Sequence, residues 1–224
     1  MALDRFYRLP EKRRQEILSI AAQVFAESGY DGTSYNALIA RLGLGKSQAY
    51  YYFADKADLF ITASAASYED YYAQVALFPV PDSVRSYWAY VERLHLIGFE
   101  FQKNHPLAAQ LTLAAAESPA RLSLAQASIE GAVTTQARYE EWVTLGQALG
   151  AVRTDMPLDL LVRICVQNSS MVDTWFAERA CVATKAQMVE WAALFTDLLR
   201  RAVQPAAVTL KCKARRTRLG AKRP

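Results

Sequence analysis

A short stretch near the amino terminus concentrates side chains that can make polar contacts. The segment GLGKSQAYYYFADK begins at Gly43 and places Lys46, Ser47 and Gln48 ahead of three consecutive tyrosines. An ammonium group, hydroxyls and an amide are the groups that contact phosphates and the edges of bases in proteins. Successive helical positions lie about 100° apart, so three adjacent rings cannot all face one core. At least one tyrosine must therefore face water or a binding partner.

Helices must hold this stretch in place, and the surrounding sequence predicts them. Residues after Pro10 predict a first helix that stops at Gly29. Its apolar stripe recurs at helical spacing: Ile17, Ile20, Ala21, Val24 and Phe25. Thr33 or Ser34 offers an N-cap for a short second helix that ends at Gly43, and another helix opens at Asp55. Two short helices joined by a three-residue, glycine-containing turn predict a helix-turn-helix, although other compact helical bundles contain such turns.

The composition predicts an all-α protein whose charge is unevenly distributed. The 224 residues are 52% hydrophobic and 21% charged, and only 9 are glycine, which favours long helices. Residues 1–60 carry 8 basic and 7 acidic side chains, and residues 61–203 carry 11 and 15. Residues 204–224 carry 7 basic side chains and no acidic one. Because the chain is not basic throughout, nucleic-acid binding must depend on local patches.

Several classes of protein and site are disfavoured by the same residues. The three cysteines, Cys165, Cys181 and Cys212, are widely spaced and predict neither a disulfide framework nor a zinc finger. With only His95 and His105, a multi-histidine metal site is not expected, and no cofactor is predicted. No signal peptide and no apolar run of the ~18 residues that a membrane helix needs is present. We therefore expect a cytoplasmic protein that does not bind membranes.

The residues around the predicted turn resemble the DNA-binding domain of the TetR (tetracycline-repressor) family of bacterial transcription regulators. The resemblance covers about 45 residues and depends on unlike residue types at fixed offsets. The matching positions are Phe25, Gly29, Tyr30, Thr33, Ser34, Gly43, Lys46, Tyr50, Tyr52, Phe53, Lys56 and Leu59. Gly45 departs from the pattern, since it replaces the Ser or Thr that usually caps the recognition helix, and Ile39 and Leu42 replace small residues. A glycine cap costs only a few tenths of a kcal/mol, so the helix is still expected.

The resemblance implies three regions. Residues 1–55 form a three-helix helix-turn-helix DNA-binding domain, residues 56–204 a helical effector-binding and dimerisation domain, and residues 205–224 a flexible basic tail. The tail could add salt-sensitive DNA affinity or remain solvated without contacts.

A helical arrangement of residues 46–53 separates an inner from an outer face. Ala49 and Phe53 are expected to face the other helices, with Tyr51 packed along their edge. The residues predicted to contact DNA are Ser34, Tyr35, Asn36, Lys46, Ser47, Gln48, Tyr50, Tyr52 and Lys56. Gln48 suits adenine N6 and N7, the lysines and the tyrosine hydroxyls suit phosphates, and Tyr52 also suits a thymine methyl. The alternative is that the tyrosines form a packed rim on a small bundle.

The two most apolar helical segments, near residues 158–177 and 185–203, are the candidates for a homodimer interface. Their apolar faces are wider than one neighbouring helix would cover, so a symmetric four-helix interface would bury the surplus. The predicted interface residues are Ile164, Met188, Trp191, Phe195, Leu198 and Leu199. The alternative is that these residues form only the core of a monomer.

A small-molecule site is predicted from aromatic residues on one helical face. Trp88, Glu92, His95 and Phe99 share that face and, with Met171 and Trp175, would suit a mainly apolar ligand with a polar or cationic group. A lone histidine on an apolar face is more often an ordinary core residue. No motif identifies the ligand.

Three functions remain open from the sequence. The first is a ligand-responsive regulator, expected to be a repressor, that binds a palindromic DNA operator as a homodimer. Its effector would favour a conformation in which the recognition helices are no longer one DNA turn apart, roughly 34–36 Å, with residues 55–77 as the connecting lever. The second is a DNA-binding protein controlled by a protein partner, or an architectural one. The third is a helical enzyme or carrier that retains the amino-terminal module, although no nucleophile–base pair or phosphate-binding loop is visible.

Overall fold

A computed structural model describes residues 2–118 and 133–206 of the chain. The described residues form eleven helices and no strand, as the predicted all-α class requires. The helices are α1 (Asp4–Tyr7), α2 (Glu11–Gly32), α3 (Tyr35–Arg41), α4 (Lys46–Tyr52), α5 (Lys56–Ser67), α6 (Glu69–Ala76), α7 (Val84–Asn104), α8 (Pro106–Ala116), α9 (Val133–Ala148), α10 (Leu158–Ala177) and α11 (Lys185–Val203).

Helix α2 carries the predicted apolar stripe and breaks at the predicted glycine. Ile17, Ala21 and Phe25 are fully buried along it. At Gly29 the backbone leaves the helical region, with φ 70° and ψ 168°, a left-handed φ that disfavours residues with a Cβ. The Thr33 hydroxyl donates a hydrogen bond to the Gly29 carbonyl at 2.7 Å. This bond closes the bend that directs the chain into α3.

The leader before α2 is an element that sequence periodicity does not predict. It forms the four-residue helix α1, whose Phe6 is completely buried. The Phe6 ring lies 4.8 Å from the Phe53 ring and 6.1 Å from the Tyr52 ring, measured between centroids. The Leu3 amide donates to the Tyr52 carbonyl at 2.9 Å, and the Ala2 amide donates to the Thr62 hydroxyl at 2.8 Å. The leader therefore covers the carboxyl-terminal end of α4.

The amino-terminal core extends beyond residue 55. It contains apolar residues of α1 to α4 together with Leu59, Phe60 and Ala63 of α5. Leu111 and Ala114 of α8 are buried in the same cluster, and α8 packs along both α2 and α5. One continuous apolar core thus joins the helix-turn-helix to the helices that follow it.

Two further apolar clusters hold the larger helical region together. In one, Tyr87 of α7 and Val143 of α9 surround Leu161 of α10. In the other, Phe99 of α7 stacks on Phe176 of α10, with ring centroids 4.3 Å apart. Capping boxes begin both α7 and α11, so each of these helices has a fixed first turn.

Residues 207–224, which include most of the predicted tail and Cys212, lie outside the described residues. Cys165 is buried, Cys181 is exposed, and neither is in a disulfide. Within residues 2–118 and 133–206, no helix combines the length and the hydrophobicity needed to cross a membrane.

Candidate nucleic-acid interface and interior tyrosine cluster

The turn between α3 and α4 is fixed by backbone hydrogen bonds and one arginine. The Leu44 amide donates to the Ile39 carbonyl at 3.0 Å, and Gly43 adopts φ +66°. The Arg13 guanidinium of α2 donates to the carbonyl of Leu42, the C-cap residue of α3, at 2.8 Å. This bond satisfies a carbonyl at the end of α3 and ties the turn to α2.

The outer face of α4 presents four side chains that can form hydrogen bonds. Lys46, Ser47, Gln48 and Tyr50 are all exposed, and the exposed fraction of Tyr50 is 52%. Ala49 is completely buried, as predicted, and directs α4 onto its neighbours. The helix begins without a side-chain cap, as the glycine at its N-cap position implies.

The structure separates the three tyrosines in a different way from the prediction. Tyr51 is 50% exposed and lies beneath the Arg5 guanidinium, 4.6 Å from its ring centroid. Tyr52 is only 8% exposed and packs against Phe6. The predicted outer position of Tyr52 is therefore wrong, because helix α1 covers the face on which Tyr52 lies.

The beginning of α3 contributes a second exposed group of polar side chains. The Ser34 hydroxyl caps α3 by accepting from the Ala37 amide at 3.5 Å, and Asn36 is exposed. Tyr35 is half-buried, and its ring lies edge-on to Tyr50 at 5.7 Å. Its hydroxyl is buried without a hydrogen-bond partner, and burial raises its pKa to about 12. The Tyr35 hydroxyl is therefore not available for the predicted phosphate contact of this residue.

Lys56 has a structural partner in place of the predicted phosphate. Its ammonium group donates to the carbonyls of Tyr30 and Thr33, at 2.8 and 3.1 Å. It also lies 4.3 Å from the centroid of the Tyr30 ring. Lys56, predicted as a charge partner for a phosphate beside the groove, therefore joins the start of α5 to the bend after α2.

Comparison with known proteins agrees with this geometry. The sequence profile of the family described as "Bacterial regulatory proteins, tetR family" matches residues 17–63, which span α3, α4 and most of α2 and α5. This stretch of the chain is therefore similar to the proteins of that family. No curated protein matches the chain.

Solved structures extend the similarity of fold to the larger region. A TetR family transcriptional regulator from Chloroflexus aurantiacus J-10-FL is 24% identical, with a TM-score of 0.53 over 92% of this chain and 100% of that one. A Shewanella sp. PV-4 transcription regulator assigned to the TetR family is 18% identical, with a TM-score of 0.64 over 87% and 99%. FadR from Bacillus subtilis, solved in complex with stearoyl-CoA, is 16% identical, with a TM-score of 0.58 over 83% and 96%. At these identities the similarity establishes the TetR-like fold alone.

The residues predicted to bind an effector do not form one cavity. Trp88 and Glu92 line an open surface groove of about 520 Å³ between α7 and α11. His95 donates or accepts a hydrogen bond with the Thr196 hydroxyl at 3.0 Å, and burial lowers its pKa to about 4. Phe99 is buried in the apolar core.

Two further members of that prediction lie on α10, away from the groove. Met171 is 52% exposed, and Trp175 packs against Trp191, with ring centroids 4.9 Å apart. The six residues therefore do not line the groove together, because Phe99 and Trp175 pack in an apolar cluster whereas Trp88 and Glu92 face the groove.

A different set of polar residues meets inside the helical region. We call it the tyrosine–aspartate cluster, which consists of Tyr68, Tyr71, Tyr72, Tyr139 and Asp173. Burial raises the pKa of all four tyrosine hydroxyls, and the Asp173 carboxylate raises it further. Burial also raises the pKa of the Asp173 carboxyl to about 7. No local sequence motif predicts this cluster, because its members come from α9, α10 and the region of α6.

The predicted dimer residues divide between core and surface. Met188 and Leu199 are 4% and 3% exposed within a single chain, so their assignment to an interface is wrong. Leu198 is 49% exposed, whereas the other three are partly buried: Ile164, Trp191 and Phe195. Sequence reasoning missed Leu194, which is 59% exposed on the same helix as Leu198.

Substitutions of Lys46 and Lys56 distinguish an exposed lysine from one that stabilises the fold. We expect Lys56→Met to lower the free energy of unfolding by about 2 kcal/mol, since two carbonyls lose a charged donor. Lys46→Met removes an exposed charge, so we expect a change within about 0.5 kcal/mol. Urea unfolding of both variants measures this difference. Equal stability of the two variants would contradict the structural role of Lys56.

Stability should depend on pH through Asp173. Its pKa rises from 3.8 in the unfolded chain to about 7 in the folded one, so the folded state holds the proton more tightly. The stabilisation is complete below pH 3.8 and is lost as the pH rises through about 7. Relative to Asp173→Asn, the wild type should lose up to about 1.4 kcal/mol per pH unit between these values.

Urea unfolding at a series of pH values, with Asp159→Asn as the control, measures this dependence. Asp159 is exposed on the same helix, so the control removes a carboxylate of α10 outside the cluster. A constant difference in stability between wild type and Asp173→Asn at every pH would contradict the buried position of the carboxyl.

Proposed function

We propose that the protein is a bacterial transcriptional regulator, a repressor, that binds a palindromic DNA operator as a homodimer and is released by a small effector. The observation that carries this proposal is the outer face of α4. Lys46, Ser47, Gln48 and Tyr50 are exposed together on a helix that buried Ala49 and Phe53 fix in orientation. In helix-turn-helix proteins the amino-terminal part of this helix enters the major groove. Such a protein acts on DNA in the cytoplasm, and this function requires no catalytic residue.

Each exposed group on α4 has a distinct role in this proposal. Gln48 presents the amide that pairs with adenine N6 and N7, and the small Ser47 permits close approach of the helix to the bases. Lys46 and the Tyr50 hydroxyl contact phosphates at the edges of the groove. At the beginning of α3, Ser34 and Asn36 add phosphate contacts from the opposite side of the turn.

An unpartnered apolar face on α10 and α11 supports the homodimer. Met171, Leu194 and Leu198 are each about half exposed, although they are large apolar side chains. Trp175 and Trp191, both partly buried, pack edge-to-face between these helices. A face of this kind is typical of protein–protein interfaces, and a two-fold axis would place the same face of a second chain against it.

Helix α8 provides the physical connection between effector and DNA. It packs against α2 and α5 on one side and against α7 and α10 on the other. The Tyr68 hydroxyl shares a 2.7 Å hydrogen bond with the Thr112 hydroxyl of α8, next to Leu111 of the amino-terminal core. An effector that shifts α8 relative to α10 would therefore move the helix-turn-helix. The effector must bind the released conformation more tightly than the DNA-bound one.

Fluorescence anisotropy with labelled DNA from the region upstream of its own gene tests the proposal. We expect saturable, salt-dependent binding with two chains per duplex, competed by specific rather than random DNA. Gln48→Ala should weaken specific binding about tenfold or more, because one bidentate base contact contributes about 1–3 kcal/mol.

Gln74→Ala is the matched control, since Gln74 is exposed on α6, outside the helix-turn-helix. Sequence-blind binding that is equally strong in the wild type and in Gln48→Ala would contradict the proposal. It would favour an architectural protein or a carrier that only retains the module.

A further inference from the structure

The tyrosine–aspartate cluster is surrounded by five helices. Tyr71 of α6 lies 5.7 Å from Phe101 of α7, measured between ring centroids. Tyr68, at the junction of α5 and α6, is tied to α8 through its hydrogen bond with Thr112. Tyr139 comes from α9 and has Ser169 of α10 within hydrogen-bonding reach, one turn before Asp173. The cluster thus lies where movements of these helices relative to one another would be sensed.

The members of the cluster keep part of their surface accessible, and we call the space that they border the recess. Asp173, Tyr68, Tyr71 and Tyr139 are half-buried, and Tyr72 remains 41% exposed. Gly98 of α7 faces Tyr71 without a side chain, and the nearest Tyr71 atom is 3.9 Å from where its Cβ would be. Side chains that are surrounded on several sides and still keep accessible surface border a concave space. Four aromatic rings and one carboxyl group therefore border a space that keeps contact with solvent.

Asp173 has no cationic partner among residues 2–118 and 133–206. Its carboxyl group forms no ion pair and no hydrogen bond with those residues, and burial is the cause of its raised pKa. The Arg138 guanidinium lies over the Tyr72 ring at 5.2 Å and lowers the pKa of Tyr72. Buried carboxylates in proteins normally have a counter-charge or stay protonated. In this recess the counter-charge is missing from the described part of the chain.

We propose that the tyrosine–aspartate cluster binds a small organic monocation, a protonated amine or a quaternary ammonium group, as the effector. Tyrosine ring faces attract organic cations, and a desolvated carboxylate strengthens the attraction. The same carboxylate disfavours an anion, such as a fatty acid or an acyl-coenzyme A. The consequence for DNA release depends on the proposed function, whereas binding in the recess does not.

Isothermal titration calorimetry without DNA tests the binding directly. The probes are benzyltrimethylammonium, protonated benzyldimethylamine and neopentylbenzene, which is the uncharged isostere of the first. We expect both cations to bind at least about tenfold more tightly than the isostere. Tighter binding of benzyldimethylammonium would assign a hydrogen-bonding role to Asp173, and equal binding of the two cations would assign a charge role alone; both results support the proposal.

Matched variants locate the site of binding. Asp173→Asn should reduce cation affinity about tenfold or more and leave affinity for neopentylbenzene unchanged. Asp159→Asn, on the exposed face of α10, should change neither. Tyr71→Phe keeps the ring and should retain most of the affinity, whereas Tyr71→Leu should lose it. Circular dichroism of each variant shows whether it is folded.

The outcomes separate the two proposals. Equal binding of cation and isostere by the wild type, or no binding of either cation at millimolar concentration, overturns the cation site. Unchanged cation affinity in a folded Asp173→Asn variant also overturns it. Selective cation binding that does not change DNA anisotropy leaves the site standing and overturns the proposed release by an effector.

Discussion

The orientation of α4 depends on one packing constraint at its carboxyl-terminal end. Consecutive helical residues diverge by about 100°, so a helix with three tyrosines must bury some rings and expose others. Ala49, Tyr52 and Phe53 are buried against the rest of the domain, and Phe6 of the leader covers the last two. With these groups fixed, Gln48 and Tyr50 can only point outward. The surface proposed to read DNA therefore results from how the opposite face is packed.

The same domain is joined rigidly to the region that follows it. Leu111 and Ala114 of α8 are part of its apolar core, and Lys56 fixes the beginning of α5 to the bend after α2. Because packed cores transmit strain and have few alternative arrangements, a shift of α8 would be felt at the turn between α3 and α4. The tyrosine–aspartate cluster reaches the other side of α8 through Tyr68. Binding and release can thus be linked by one helix.

Sequence reasoning was accurate where the signal was local. The break at Gly29, a cap at Thr33 or Ser34 and the outward position of Gln48 follow from spacing and residue type, and the structure has all three, with Ser34 as the cap. Errors arose where a partner lies far along the chain. Tyr52 is buried by Phe6 of the leader, and Lys56 is bound by carbonyls more than twenty residues before it.

The interior of the larger region could not be predicted for the same reason. Helical spacing grouped Trp88 with Phe99 on one helix face, but it carries no information about which faces of different helices meet. Asp173 and Tyr139 come from separate helices, and each is unremarkable in its own segment. The dimer prediction included Met188 and Leu199, which the chain's own core already buries. A wide apolar face indicates that a helix is covered on two sides, but it does not identify the elements that cover it.

Selection of binding sequences from a pool of random duplexes tests the central claim most directly. The wild type should enrich an inverted repeat whose half-sites are about one turn apart, roughly 34–36 Å. Gln48→Lys should enrich the same repeat with adenine replaced by guanine at one position in each half-site, since lysine prefers guanine O6 and N7. An unchanged sequence preference in this variant, or no inverted repeat with the wild type, would contradict the claim that α4 reads DNA bases.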